Sequence, residues 1–413
     1  MRAAALRVAD VFRAHWAEYD RTHTIAPHQA KAVRHILSCR TAALGGHLHR
    51  CAQCGSELPV YNSCEDRHCS TCQTLAKEAW LDDRRAELLP VEYFHAVFTL
   101  SHGVNGLVDA NRRLLLGELF AAAHWVLRHF AADPAWRLEG ELGFIALLHT
   151  WNQRLGPHFH LHCIVPGGVW RAGTQQWVPC RQRYLFEKDA LAAAFRNRYL
   201  RRLGALRAQG KLRFTGAAAG LADAAVWDAW LRARRAENWV VWPKRTAAGP
   251  EQALDYLGRY THRVALADHR LLRFEAGQVT FAWRDRAHGN RRQTQQLPAA
   301  EFIQRFLYHV LPPGFQKVRY YGWLCPQKKT RVLPAIRGAL GAAAPPPAAP
   351  VQETKAERIL RLTGVDVRRC PQCGASALVY VGPLAPVYGA NESAVAARAG
   401  GAPGRLTAAR GPP

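Results

Sequence analysis

Two Cys-x-x-Cys pairs in the first fifth of the chain constrain its fold more than any other sequence feature. Cys51 and Cys54 form the first pair, and Cys69 and Cys72 form the second after 14 intervening residues. This spacing lets four thiolates surround one tetrahedral zinc ion, which stabilises a small unit that lacks a large hydrophobic core. Because four protein ligands close such a site to substrate, we expect the zinc to be structural.

Neighbouring residues allow other ligand sets. Cys64 and His68 lie between the two pairs, and they could bind one ion together with the first pair. His47 or His49 could contribute to a second metal ion. The cysteine pattern therefore predicts a zinc-binding unit and leaves the ligands of each ion open.

A third pair, Cys370 and Cys373, lies far downstream, and no further Cys-x-x-Cys pair follows it. It is half of a zinc site unless Cys325 or another subunit supplies the other ligands, and an unmetallated turn is the alternative. The 11 cysteines are an odd number and fall mostly in such pairs. In a reducing compartment this pattern indicates metal ligation and not disulfide bonds.

Basic residues dominate the charge of the chain. The 56 Lys and Arg residues against 31 Asp and Glu residues give a net charge of +25, for which polyanions are the natural partners. Most of these cations are arginines, which bind phosphate in two-pronged fashion, and 13 tryptophans and 12 tyrosines add surfaces for base stacking. A basic protein from a GC-rich genome is the alternative, and composition alone leaves the two open.

The sequence predicts a soluble, cytoplasmic protein. Asp10 and Arg13 interrupt the first residues before any apolar run that could serve as an export signal. No uncharged apolar run reaches the length of about 18 residues that a membrane-spanning helix needs. We therefore expect neither secretion nor a membrane span.

The pattern of apolar residues predicts an α+β fold. Helices are expected at residues 8–19, 28–37, 75–88, 108–130, 190–206 and 252–260, and strands at 93–100, 143–151, 158–165, 239–242 and 279–283. We predict a helical zinc-binding domain over residues 1–88 and an α+β domain over 91–325. Residues 338–350, rich in Ala and Pro, are expected to form a linker, and residues 351–413 a largely disordered C-terminal extension.

Histidines cluster in strand-like sequence near the middle of the chain. Residues two apart on a strand face the same side, so His160 and His162 can converge on one ion while Leu161 faces a core. If residues 154–155 centre a hairpin turn, His149 lies directly across from His160. Three imidazoles could then hold a metal with free positions for a phosphate oxygen, and imidazole ligands alone favour zinc, iron or nickel. Exposed histidines without a ligand role are the alternative.

Tyr256 and Tyr260 lie four residues apart, which places both phenols on one face of a predicted helix. Arg259 and Arg263 would bring positive charge to a bound phosphate, whereas an aromatic stripe in a core is the alternative. A phenol has a pKa of about 10, so attack on phosphate needs a nearby base or cation. A phosphotyrosine intermediate conserves the energy of the cleaved bond, and the sequence has no Gly-rich phosphate-binding loop. We therefore expect no small-molecule cofactor.

Six segments carry longer ordered motifs: CRTAALGGH (39–47), NSCEDRHCSTCQ (62–73), VFTL (97–100), HTW (149–151), HLHCIVPGG (160–168) and YLGRYTHRVA (256–265). Together they resemble the rolling-circle transposases of the insertion sequence 91 family, over residues 30 to 325. This family belongs to the HUH endonucleases, named for a His-hydrophobic-His motif. The resemblance implies an antiparallel sheet flanked by helices, preceded by a small helical zinc-binding domain. It also implies a divalent metal, magnesium or manganese, and tyrosine attack that gives a 5′-phosphotyrosine and a free 3′-OH.

The resemblance assigns roles to individual residues. His160 and His162 match the metal pair of the family, and Tyr256 and Tyr260 match its two nucleophiles. The related relaxases place a third histidine eleven positions before the first of the pair, which here is His149. The zinc-binding region is matched by Cys51, Cys54, Cys64, His68, Cys69 and Cys72. The catalytic HUH domain would then be the α+β domain of residues 91–325.

The function implied by the resemblance is that of a bacterial transposase that nicks and rejoins single-stranded DNA at element ends and target. A plasmid replication initiator or relaxase would share this chemistry. A non-catalytic, zinc-containing DNA-binding regulator is an alternative of another class, in which the tyrosines belong to the core. A recombinase that uses tyrosine without metal would leave the histidines unexplained and would form a 3′-phosphotyrosine.

Overall fold

A computed structural model describes residues 6–387, apart from 182–184, 247–257, 259–264, 286–287 and 343–352. The side chains of residues 74–76, 355 and 363 also lie outside the description. The chain divides into two compact units. Among the described residues, the first unit combines those within 1–75, 266–310 and 352–413, and the second combines those within 76–265 and 311–351.

The helices and strands are numbered in chain order. The helices are α1 Val8–Thr22, α2 Pro27–Ser38, α3 Gln73–Arg85, α4 Asn105–Ala110, α5 Arg112–Ala132, α6 Lys188–Ala208, α7 Ala224–Ala236, α8 Ala299–Tyr308, α9 Pro326–Ala339 and α10 Lys355–Thr363. The strands are β1 Gly46–Cys51, β2 Glu57–Tyr61, β3 Tyr93–Thr99, β4 Phe144–Trp151, β5 Pro157–Pro166, β6 Gly168–Arg171, β7 Gln176–Pro179, β8 Val241–Arg245, β9 Leu271–Glu275, β10 Gln278–Asp285, β11 Arg291–Pro298, β12 Val318–Tyr321 and β13 Leu378–Leu384.

The second unit is built on an antiparallel sheet, whose order among the described strands is β12-β4-β5-β3-β8. Side chains alternate between the two faces of a strand. On one face, Phe98 of β3 contacts Phe195 of α6, with ring centroids 5.2 Å apart. On the other face, Ile145 and Leu147 of β4 belong to a buried cluster that includes Ile336 of α9. Helices therefore cover both faces of the sheet.

The hairpin between β4 and β5 is fixed by its turn. The side-chain oxygen of Asn152 accepts hydrogen bonds from the backbone amides of Arg154 and Gly156, both at 2.9 Å. The amide of Asn152 donates to the carbonyl of Gly156 at 3.0 Å, and Leu155 adopts a left-handed φ of 62°. An asparagine that bonds its own turn in this way sets the register of the strands that follow.

The first unit contains two small sheets and a helical core. One sheet has the order β13-β1-β2, and the other has the order β11-β10-β9. Phe12 of α1 packs edge-on against Phe306 of α8, with ring centroids 5.4 Å apart. The carboxylate of Asp268 accepts hydrogen bonds from the Val8 amide at 3.0 Å and from the Ser70 hydroxyl at 2.6 Å. These contacts join the early residues to the segment 266–310.

The predicted fold class is confirmed, because an antiparallel sheet flanked by helices forms the larger unit. The predicted boundaries need correction. Residues 266–310, expected in the α+β domain, belong to the first unit, since their aromatic core packs on α1. Part of the C-terminal extension is also built into that unit, because β13 pairs with β1. Residues 343–350 of the predicted linker and residues 388–413 lie outside the described part of the chain.

Within the described residues, no helix combines the length and the apolar character that crossing a membrane requires.

Candidate functional site

Three histidines meet on the sheet of the second unit. His149 of β4 lies directly opposite His160 of β5, which is the register that the sequence predicted for this hairpin. His162 lies two residues further along β5, on the same face. One ring nitrogen of each histidine lies within 4.8 Å of those of the other two, and all three side chains are buried. We call these residues the histidine triad.

The spacing of the triad fits a divalent metal ion. The Nε2 atoms of His160 and His162 are 3.1 Å apart. Metal–nitrogen bonds of about 2.0–2.1 Å, at angles between an octahedral and a tetrahedral value, separate two ligand nitrogens by about 2.9–3.4 Å. The distance is also compatible with one hydrogen bond between neutral rings. Whether a metal ion or a hydrogen bond accounts for this distance depends on which ring nitrogens carry protons.

Hydrogen bonds around the triad indicate which ring nitrogens carry protons. Nδ1 of His160 lies 3.0 Å from the carbonyl oxygen of His158, which can only accept, so Nε2 of the neutral ring carries no proton. Nδ1 of His162 lies 2.8 Å from Nε2 of His95 on the neighbouring strand β3. If His162 donates in that bond, its Nε2 is also available to a metal. His95 thus occupies the position of a residue that selects the metal-binding form of His162.

The cysteines of the first unit form two separate groups. The first group is Cys39, Cys64, Cys69 and Cys72, and the second is Cys51, Cys54, Cys370 and Cys373. In each group the ligand sulfurs lie within 4.8 Å of one another. The predicted single set of four is therefore corrected, because its two Cys-x-x-Cys pairs lie in different groups and each group gains two cysteines from elsewhere.

The first cysteine group fits a tetrahedral zinc ion. The Sγ atoms of Cys64 and Cys72 are 3.7 Å apart. Zinc–sulfur bonds of about 2.3 Å in a tetrahedron separate two sulfurs by about 3.8 Å. Hydrogen bonding with Cys64 lowers the pKa of Cys39, whereas hydrogen bonding with Cys39 raises the pKa of Cys64. Thiolates this close repel one another, so ionisation of one thiol opposes ionisation of its neighbour. A cation bound between them offsets this repulsion.

His68, expected as a possible zinc ligand, is not a member of either group. Its Nδ1 bonds the carboxylate of Asp66 at 2.9 Å, and Nδ1 of His35 bonds the same carboxylate at 2.8 Å. Although burial opposes ionisation, these two histidines hold the pKa of Asp66 well below its usual range. Asp66 also accepts the amide of Cys69 at its backbone carbonyl, at 3.0 Å. His68 therefore stabilises the loop that carries Cys64, Cys69 and Cys72 of the first cysteine group.

Two family models match the parts of the chain that hold the histidine triad and the first cysteine group. The family model of the "Transposase zinc-binding domain" of insertion sequence 91 elements matches residues 11–100, and the model described as "Putative transposase" matches residues 143–331. The "Putative transposase y4qJ" of Sinorhizobium fredii (strain NBRC 101917 / NGR234) is 42% identical over 387 residues, which cover 92% of this chain and 96% of the relative. This chain belongs to the insertion sequence 91 family of transposases.

A more distant transposase is also similar over most of its length. The "Transposase for insertion sequence element IS801" of Pseudomonas savastanoi pv. phaseolicola is 26% identical over 377 residues, which cover 89% of this chain and 87% of the relative. No solved structure matches the chain. The expected family membership and the expected zinc-binding domain are thus confirmed.

The two family matches cover the two kinds of candidate site. The transposase match spans the whole histidine triad. The zinc-binding match contains every cysteine of the first group, but only Cys51 and Cys54 of the second. Cys370 and Cys373 lie outside both matches. The transposase therefore carries a zinc-binding domain whose cysteines fit structural zinc.

The predicted nucleophiles Tyr256 and Tyr260, with Arg259 and Arg263, lie outside the described residues. Gly258, between the two tyrosines, is helical and buried. A Cβ atom at Gly258 would lie 2.6 Å from both Cδ atoms of Leu81 in α3. This close approach explains why glycine is suited to position 258.

Sequence reasoning missed two residues of these sites. Cys39 has no partner at Cys-x-x-Cys spacing, although it follows α2 directly and lies 12 residues before the first pair. His95 lies on β3, whose register with β5 places it on the same face as His160 and His162. A histidine within the apolar run of β3 was a usable signal, but its meaning depends on which strand lies beside it.

Proposed function

We propose that this transposase nicks and rejoins single-stranded DNA at the ends of its element, through a 5′-phosphotyrosine intermediate, in rolling-circle transposition. The observation that carries the proposal is the histidine triad, in which three buried imidazoles on paired strands turn their nitrogens toward one point. A structural zinc site in proteins is usually closed by four ligands, whereas three ligands leave positions for substrate. A phosphate oxygen is the natural occupant of such a position.

The triad would hold a divalent ion, for which we propose magnesium or manganese. Bound there, the ion would act as a Lewis acid on a non-bridging oxygen of the scissile phosphate. The protein supplies the orientation. The His158 carbonyl fixes the ring of His160, His95 fixes the ring of His162, and the paired register places His149 opposite. Because the rings are held before substrate binds, little reorganisation is needed during the reaction.

Tyr256 and Tyr260 are the proposed nucleophiles, on the strength of the motif that contains them. The phenolic oxygen would form a bond to phosphorus while the bond to the 3′-oxygen breaks, so that the upstream strand leaves with a free 3′-OH. The phenol gives up its proton, and the leaving 3′-oxygen takes one up. Attack by a 3′-OH on the phosphotyrosine then reverses the step on a new strand. Two tyrosines would let one hold the element end while the other engages the target.

The proposed partner is single-stranded DNA of the transposon ends and target. The net charge of +25 supports binding to a polyanion, and Arg259 and Arg263 would lie next to the nucleophiles in sequence. The zinc-binding domain would contribute to gripping the element ends. Such binding should weaken strongly with salt, since phosphate contacts release counterions.

The test uses a single-stranded end oligonucleotide labelled separately at either terminus. Cleavage to a 5′-phosphotyrosine attaches the protein to the downstream fragment, so only the 3′-labelled oligonucleotide should give a shifted band on a denaturing gel. The band should disappear with a chelator and in the chain carrying Tyr256→Phe plus Tyr260→Phe. Tyr61→Phe, a tyrosine of the first unit, is the matched control and should retain the band.

Each other outcome has a clear meaning. A band from the 5′-labelled oligonucleotide would indicate a 3′-phosphotyrosine and refute the proposed polarity. A band that survives the double tyrosine variant would refute the nucleophiles. Binding without any adduct would favour the non-catalytic regulator.

A further inference from the structure

We propose that Cys370 and Cys373 complete a second zinc site with Cys51 and Cys54, so that the C-terminal segment forms half of a split zinc ribbon. The Sγ atoms of Cys51 and Cys373 are 3.7 Å apart, as are those of Cys54 and Cys370. These pairs are separated by 322 and 316 residues in sequence. The distances match the value of about 3.8 Å expected for two thiolates on one tetrahedral zinc ion.

The two halves of the site have the same local structure. In residues 51–56 and again in 370–375, the amide of the first cysteine donates to the carbonyl of the residue five positions later. In both, the amide of the glycine after the second cysteine donates back to the carbonyl of the first. Gly55 and Gly374 have left-handed φ values of 71° and 76°. Both segments thus form the tight turn that brings two Cys-x-x-Cys thiolates to one side.

Strand pairing brings the two turns together. β13 pairs with β1 in antiparallel register, ending at Cys51 opposite Leu378. Directly beyond this pair, the amide of Ala52 donates to the carbonyl of Ala377 at 2.8 Å. The ladder therefore continues up to the cysteine turns on both chains. A site assembled this way needs the strand pairing, and the zinc in turn holds β13 at the edge of the sheet.

The assignment accounts for every cysteine of the first unit. Eight of the 11 cysteines lie in this unit, and they divide into two complete groups of four. The other three, Cys163, Cys180 and Cys325, lie in the second unit. Cys325, which sequence alone allowed as a partner of Cys370 and Cys373, is therefore not needed. In the second group, Cys51 and Cys370 are buried whereas Cys54 and Cys373 are exposed.

Zinc counting on the full chain tests the proposal. Native mass spectrometry of the chain with Cys370→Ser plus Cys373→Ser should show one zinc ion fewer than the unchanged chain. Cys325→Ser is the matched control and should keep the full zinc content. An unchanged count in the double variant, or a loss of zinc in the control, would overturn the proposal.

A second measurement uses the unchanged chain, so it does not depend on the variants folding. Cys54 and Cys373 are solvent-exposed and should react readily with an alkylating reagent if they were free thiols. With zinc bound, we expect both to be protected and to become reactive together when a chelator removes the metal. Full alkylation of Cys373 in the zinc-loaded chain would contradict the site, whatever the variants show.

Discussion

At the scale of single residues, His95 lies where it could select the metal-binding form of His162 at the proposed metal site. Its Nε2 lies 2.8 Å from Nδ1 of His162. With an acceptor at that point, His162 keeps its proton on Nδ1 and turns a bare Nε2 toward His160. Without an acceptor there, this hydrogen bond no longer favours that form. For the proposed metal site we therefore assign His95 as a positioning residue and not as a ligand.

Replacing His95 should weaken metal binding. We expect His95→Leu to lower the affinity for Mn²⁺ by about 10–100-fold, which is typical of lost outer-shell partners, as measured by electron paramagnetic resonance of free Mn²⁺. His95→Gln offers an amide oxygen as acceptor and should retain most of the affinity. His129→Ala, an exposed histidine of α5, is the control. Equal affinities for the Leu and Gln variants would show that His95 acts only through packing.

A second prediction for a single residue concerns the effect of Gly258 on stability. A Cβ at this position would overlap the end of the Leu81 side chain at 2.6 Å, so Leu81 must shift to accommodate it. We expect Gly258→Ala to lower the free energy of unfolding by about 1–3 kcal/mol, the usual cost of overpacking, as measured by urea denaturation. Adding Leu81→Ala should make the two changes non-additive, because the smaller side chain removes the overlap.

Gly204, within α6, provides the control for this prediction. Among the described residues outside its own helix backbone, none lies within 4 Å of a Cβ atom at Gly204, so Gly204→Ala should gain about 0.5–1 kcal/mol from helix propensity. If both glycine variants changed stability alike, the close approach of Gly258 to α3 would be refuted.

At the scale of elements, the β4–β5 hairpin sets the geometry of the histidine triad. Its turn depends on Asn152, which accepts two backbone amides at 2.9 Å. Asn152→Ala leaves these amides without that partner, so we expect a loss of about 1–3 kcal/mol in urea denaturation. We also expect weaker Mn²⁺ binding, because His149 and His160 are paired through this register. Asn152→Asp keeps an acceptor oxygen and should preserve both properties. Alanine and aspartate variants with the same stability would contradict the role of the turn.

The hairpin also shows what local sequence can predict. The alternation of His160, Leu161 and His162 fixes which side chains share a face, and the turn length fixes that His149 meets His160. Both are properties of one continuous segment. The position of His95 required the pairing of β3 with β5, and no nearby residue encodes that pairing.

At the scale of the whole molecule, the cysteines also have partners that local sequence does not predict, and these partners are much further apart in sequence. Their spacing predicted that zinc is bound, because two Cys-x-x-Cys pairs close together in sequence are typical of zinc sites. It could not predict that Cys54 would meet Cys370, 316 residues away, in preference to the nearby second pair. Similarly, nothing local indicated that Phe306 packs on Phe12. Sequence periodicity specifies faces and turns, whereas the choice among distant partners depends on the whole fold.

The division into two units predicts that zinc removal acts locally. The sheet β13-β1-β2 has exposed strands, with Val379, Tyr380 and Val381 about half accessible, so packing contributes little to its stability. In small zinc domains the metal supplies folding free energy directly, with apparent values of about 10–16 kcal/mol. Removing it should therefore release this sheet, while the Phe12–Phe306 contact still supports α1 and α8.

Hydrogen exchange measured by mass spectrometry, with and without a zinc chelator, tests this prediction. We expect exchange to rise strongly in β1, β2 and β13. It should stay low in β4, where Leu147 and Leu148 are almost fully buried in the core of the second unit. A rise shared equally by β4 and β1 would mean that the units unfold as one. An unchanged β13 alongside a loosened β2 would mean that the C-terminal strand is held by its backbone ladder alone.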